Sequence, residues 1–150
     1  WCHYNQDLIE IKISPLNNNF VMKDQLLLGK TDPKSDNFDV IICALGNIHI
    51  AYIPSNIKVI YSNAFDGCFD LVKVEFEEKS ELQTIGEGAF KNTKIKQMII
   101  PPNVSIIGEN PFFNCIDLQI IEISENSKLR SIFGNGFNYL MIPLELKGSL

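Results

Sequence analysis

The strongest constraint on how this chain folds is that it repeats. The stretch from Leu71 to Lys94, LVKVEFEEKSELQTIGEGAFKNTK, has later copies opening at Ile95 and Leu118 and an earlier one at Ile48. Leu8 opens a further copy that departs from the pattern. The copies share three apolar residues at fixed offsets: Leu8, Ile11 and Ile13; Ile48, Ala51 and Ile53; Leu71, Val74 and Phe76; Ile95, Met98 and Ile100; Leu118, Ile121 and Ile123. In every copy but the first, an apolar pair and then a phenylalanine follow: Ile57, Ile60 and Phe65; Leu82, Ile85 and Phe90; Val104, Ile107 and Phe112; Leu129, Ile132 and Phe137. A period of 23 to 25 residues held in this register predicts a solenoid. One turn cannot bury its own apolar face and must stack on its neighbours.

Each copy can be read locally. The last two members of the first triplet alternate as a buried strand requires. Pro54 and Pro101 follow directly, and Pro15 one place later; lacking a ladder N–H, proline stops the strand and turns the chain. The second apolar pair predicts either a short strand or an extended segment. The stretch Gly86 to Phe90 and its counterparts read as a tight helical turn that drops the phenylalanine into the core. Two residues beyond stand Gly67, Asn92 and Asn114, types that accept positive φ, so a left-handed corner is predicted there. Tyr139 breaks this column in the last copy.

The chain is read as one domain over 1–150: an irregular repeat over 1–47, regular repeats over 48–140, and a tail over 141–150. The irregular copy holds a polar loop, 29–37, between Gln25–Leu28 and Phe38–Ile42, which predicts a β-hairpin over about 25–42. Such insertions project from one face and often carry function; an edge-covering hairpin with no partner of its own is the alternative. The chain starts part-way through a repeat, as a piece cut from a longer array would.

At the level of motifs, Ile53-Pro54 … Ile57 … Ile60 … Ala64-Phe65 … Cys68 and Ile100-Pro101 … Val104 … Ile107-Gly108 … Phe112 … Cys115 resemble the BspA-type leucine-rich repeat. That repeat has the form L-x-x-I-x-I-P, V-x-x-I-G, A-F-x-x-C. The resemblance covers residues 48 to 140, and Asn17, Phe20, Asp24 and Leu27 look like the N-x-x-F/Y … D-x-x-L hairpin with which this family interrupts its array. It implies a β-rich solenoid: a right-handed coil with a parallel sheet of short strands, helical or 3-10 corners and one inserted hairpin. It further implies a surface or secreted protein-binding module that adheres to host, extracellular-matrix or neighbouring-cell proteins. The family has no catalytic residues and no fixed ligand motif to carry over.

Charge and composition narrow the partners. Thirteen basic and eighteen acidic residues leave a net charge of −5, which repels phosphate backbones and argues against nucleic acid. No apolar run approaches the roughly 18 residues of a membrane span. An intracellular scaffold of the same fold is the second reading, since a reducing compartment would suit unpaired cysteines; a cytoplasmic location therefore stays open.

Chemistry-bearing residues are sparse. Cys68 and Cys115 share a column two turns apart, with Thr93 between. Stacking at about 4.8 Å per strand puts them beyond the roughly 7 Å reach of a disulfide, so both are read as buried thiols. A Cys2–Cys43 bond stays open. No C-x-x-C pair occurs, and His3 and His49 (the latter read as lying in a strand) sit in no metal or catalytic spacing, so no catalytic residue, metal site or cofactor is expected. Gly86-Glu87-Gly88 and Gly134-Asn135-Gly136 lack phosphate-loop spacing. Glu75, Glu77, Glu78 and Glu81 read as a solvated edge, without the spacing of a calcium loop. Asn103-Val104-Ser105 is an N-glycosylation sequon, so Asn103 is a candidate glycan site.

Strand alternation finally predicts which side chains face outward. With Val74 and Phe76 inward, Lys73 and Glu75 point out; the same offsets select Ile50 and Tyr52, Gln97 and Ile99, Ile120 and Glu122, and Glu10 and Lys12 in the irregular copy. Stacked, they form a ladder across the exposed sheet. Ile50, Tyr52, Ile99 and Ile120 are apolar where a purely solvated face would be polar, the mark of a protein-binding surface. The competing possibility is that the hairpin folds over some of them.

Overall fold

In a computed structural model of the protein, residues 5–124 and 126–132 are described. Expectations about Trp1, Cys2, His3, Phe137, Tyr139, the 134–136 glycines and the 141–150 tail lie outside them. A 3-10 turn spans Asn5–Asp7. The strands are β1 Val21–Lys23, β2 Leu26–Gly29, β3 Val40–Ala44, β4 Ile50–Ile53, β5 Val59–Ile60, β6 Lys73–Phe76, β7 Thr84–Ile85, β8 Gln97–Ile100, β9 Ile106–Ile107, β10 Ile120–Ile123 and β11 Ser131–Ile132.

Each regular turn contributes one longer strand from the first apolar triplet and one two-residue strand ending on the second apolar pair. The two-residue strands, together with β1, β2 and β3 of the irregular region, form the back sheet, ordered β1-β2-β3-β5-β7-β9-β11 and parallel from β3 onward. The second pair is thus a strand and not merely extended chain. The longer strands form the front, as two separate parallel pairs, β4–β6 and β8–β10.

Between front and back lies the core the repeat columns define. Ile53, Ile57, Ile60, Leu71, Leu82, Ile85, Ile95 and Met98 are buried with it, and at one corner Phe65, Phe90 and Phe112 stack in a column. Apolar side chains from successive turns remove one another from water, which is why no single turn is stable alone.

The corners are turns, not the helical turns expected. Successive i to i+3 bonds close the first, from Ala64 N to Tyr61 O (3.2 Å), Asp66 N to Asn63 O (3.1 Å) and Cys68 N to Phe65 O (3.1 Å). Left-handed residues interrupt any helical run: Gly67, Asn92 and Asn114, as the sequence predicts, and also Asn63, Gly88 and Asn110 two places before each phenylalanine. Gly86 and Gly108 serve a different end. A Cβ on either would lie 2.5 Å from the backbone nitrogen of the preceding turn, Ser62 or Glu87. Tyr61 occupies the same column and makes the equivalent bond, its N–H to the Ile41 carbonyl (2.9 Å), but the chain beneath it runs on along β3 to Ala44 where the later turns enter a corner.

The irregular region differs most from expectation. The hairpin exists as β2 and β3, paired antiparallel with Leu26 opposite Ala44 and Gly29 opposite Val40, and a register shift at Leu27/Leu28. A third strand, β1, adds to it antiparallel, turning through Asp24 at positive φ. The meander covers the edge of the back sheet: β3 pairs with β5, so the insertion extends that sheet. Its loop is held by Asp39, which is buried and accepts from the Thr31 amide (2.7 Å), the Thr31 hydroxyl (2.6 Å) and Lys58 Nζ (3.1 Å). By contrast, Leu8, Ile11 and Ile13 form no strand and are only half-buried. That copy lacks the following apolar pair and phenylalanine that seat the others; the Leu8 carbonyl instead accepts from Gly46 N (2.8 Å). His49 stands exposed one residue ahead of β4, not within it.

Candidate functional site

The front strands carry the outward-facing residues. In β4–β6, Ile50 lies opposite Lys73 and Tyr52 opposite Glu75; in β8–β10, Gln97 lies opposite Ile120 and Ile99 opposite Glu122. The inward partners Ala51, Ile53, Met98 and Ile100 are buried. Tyr52 is 59% exposed, Ile99 52% and Ile120 42%, while Ile50 is half-buried. Because the insertion joins the back sheet, it does not cover these side chains.

Register also decides how the face is divided. On β8–β10 the apolar residues Ile99 and Ile120 lie on one diagonal, and Gln97 and Glu122 on the other, joined by a Gln97 Nε2 to Glu122 Oε1 bond (3.0 Å). On β4–β6, Ile50 and Tyr52 share β4, and Lys73 and Glu75 form an ion pair on β6. The Glu75 hydrogen bond and charge raise the Lys73 ammonium above its ordinary pKa. The apolar residues therefore form two small sets with a charged pair between them, where the repeat pattern suggested one ladder. Glu10 and Lys12 pair with each other (3.6 Å) outside any strand.

Polar residues elsewhere are used between turns. Asn103 donates from Nδ2 to the Ser80 carbonyl (2.8 Å) and accepts from Lys128 Nζ (2.8 Å). Asn56, at the same repeat position, donates to the Phe38 carbonyl (2.9 Å). The sequon asparagine thus occupies a bridging column, and its glycan-accepting nitrogen is already hydrogen-bonded. A groove of about 600 Å³ runs beside it, lined by Glu81, Gln83, Ser105, Lys128 and Arg130. Nothing but the common offsets of these residues, directly before or after the first member of the second apolar pair, hints at it in the sequence. At the corner, Asn92 donates to Asp66 (2.8 Å) and Asn114 to Asn92 (2.9 Å), a ladder that continues from turn to turn.

The cysteine column stands as the repeat implies. Cys115 Sγ donates to the Phe90 carbonyl (3.0 Å) and meets Thr93 Oγ1 at 3.3 Å, while Cys68 Sγ points one turn back to the Leu45 carbonyl (3.6 Å). Burial pushes the Cys115 thiol up in pKa despite the opposing Thr93 hydrogen bonds. In the acidic run, Glu77 accepts from Ser55 N (2.9 Å), which lowers its carboxyl below the ordinary value. Among the described residues no cluster of His, Cys, Asp or Glu could hold a metal ion, and no helix is long and apolar enough to cross a membrane.

Stacked turns, a continuous sheet of short strands and an open face of longer ones define a leucine-rich repeat solenoid. The chain belongs to the BspA-type leucine-rich repeat family, whose model matches six copies over residues 42–145. Among solved structures it is similar to the pneumococcal vaccine antigen PcpA, with 28% identity and a TM-score of 0.54 over 56% of this chain. It also resembles a leucine-rich cell surface protein of Faecalibacterium prausnitzii (20% identity, TM-score 0.47, 81% of this chain). A leucine-rich repeat protein of Bacteroides ovatus is a third likeness (19% identity, TM-score 0.42, 83% of this chain). The chain spans 20%, 42% and 47% of the lengths of these three proteins, respectively. No curated protein matches it.

Proposed function

We propose that this domain is the protein-binding part of a surface or secreted protein, acting in adhesion to host, matrix or neighbouring-cell proteins and carrying no catalytic step. The observation that carries this reading is the outward placement of Tyr52, Ile99 and Ile120 on the front strands, each well exposed and set on a hydrogen-bonded strand. Exposed apolar groups gathered on one face and rimmed by polar ones favour a partner over water. Tyr52 is the anchor: a ring offers large contact area with few rotamers to freeze, and its hydroxyl keeps a polar contact. Membership in the BspA-type family and similarity to a pneumococcal vaccine antigen support a place at the cell surface.

The test is capture of proteins from a matrix extract by the purified domain. Tyr52→Ala and Ile99→Lys should each weaken capture of the same partner by about 1–2 kcal/mol, with the melting temperature nearly unchanged. Capture that survives both substitutions moves the site to the inserted meander or to the groove at Asn103. A large loss of stability would mean that these side chains are core.

A further inference from the structure

We propose that the front face is two plates hinged on the back sheet, β4–β6 carrying Ile50 and Tyr52 and β8–β10 carrying Ile99 and Ile120, with a seam between β6 and β8 that opens and closes. Three observations meet at this seam. First, β6 and β8 belong to different sheets, whereas β5, β7 and β9 directly behind them are paired without a break. Second, the bonds that enter the front pairs shift there. Val72 N donates to His49 O (3.0 Å) and Gln119 N to Lys96 O (2.9 Å), both at one repeat position; across the seam the bond is Lys94 N to Leu71 O (2.9 Å), two donor positions earlier. Third, both inward residues of β6, Val74 and Phe76, are half-buried, while Ala51, Ile53, Met98, Ile100 and Ile121 are buried and, among the described counterparts, Ile123 on the last front strand is half-buried as well.

The cause lies in the sequence. Phe65 and Leu71 are six residues apart, as are Phe112 and Leu118, but Phe90 and Ile95 are five apart. The corner leading into β8 is one residue short. The phenylalanine column is nonetheless kept, at 5.0 Å and 5.8 Å between ring centroids, so the missing residue is absorbed at the front. Where ladder bonds are absent, local opening is cheap; where the back ladder and the ring stack persist, it is costly. The motion is therefore a hinge about the back sheet that changes the angle between the two apolar sets. It does not depend on the binding reading.

Spin labels at Glu75 and Ile99 report across the seam, and labels at Thr84 and Ile106 report across the back sheet. The front distance distribution is expected to be at least twice as wide as the back one. Amides of β6 and β8 outside the paired ladders should exchange at least tenfold faster than those of β7. Equal widths overturn the hinge, even with fast exchange, because they describe a fixed gap. Inserting one residue between Thr93 and Lys94 should narrow the front distribution by half. A folded insertion variant with unchanged width removes the short corner as the cause, and if that variant does not fold, the two wild-type distributions decide.

Discussion

The rings of Phe65 and Phe90 stack with centroids 5.0 Å apart and planes 13° apart, and Phe90 repeats the contact with Phe112 at 5.8 Å and 11°. Phe90 is the middle ring, touched on both faces and fully buried. Phe90→Ala should cost about 3–5 kcal/mol, through lost transfer energy plus a cavity that neighbouring turns cannot fill. Urea unfolding measures it; an unmoved midpoint would contradict the stacking.

The glycine column offers a contrast within one repeat position. Gly108→Ala sets a Cβ 2.5 Å from Glu87 N, a backbone atom that cannot yield without separating two turns. The loss should exceed about 2 kcal/mol. Tyr61→Gly, in the same column but 57% exposed, should cost less than half as much. Thermal unfolding of the two variants checks the difference.

Acid should loosen the inserted meander. Burial alone would raise the Asp39 carboxyl, but the Thr31 hydroxyl and amide and the Lys58 ammonium outweigh it and hold the folded pKa below the ordinary 3.8. A depressed carboxylate contributes stability that is present above the unfolded pKa of about 3.9 and lost as pH falls through the folded value. Asp39→Asn should therefore be less stable than wild type near neutral pH, and should lose less stability on acidification below about pH 5. Unfolding titrations at several pH values give the two slopes.

The cysteine column yields a chemical prediction. Cys115 is 4% exposed and its thiol is pushed up by burial, so alkylation in the native state should be at least tenfold slower than in urea. A non-reduced digest should contain no Cys68–Cys115 crosslink. Finding one would require the turn that carries Thr93 to leave its place.

The sequence by itself determined the turn. Residues that must be apolar at three front positions, two back positions and one corner recur because each column is buried by its own copies one turn away, so burial is written as periodicity. The left-handed corners at Gly67, Asn92 and Asn114 were legible for a similar reason, since few residue types tolerate positive φ. The outward identity of Tyr52 and Ile99 followed from alternation alone. What only the tertiary structure decided is how one turn meets the next. Val21 to Lys23 could not be read as a strand, because three residues carry no periodicity and their pairing is with β2. The meander's place in the back sheet, the use of Asn103 as a bridge to Ser80, and the division of the front face at β6 all depend on inter-turn hydrogen bonds. Apart from the one made by the Asn103 side-chain amide, those bonds are made by backbone groups that every residue but proline carries, so side-chain pattern encodes them poorly. A corner one residue short changes which of them can form.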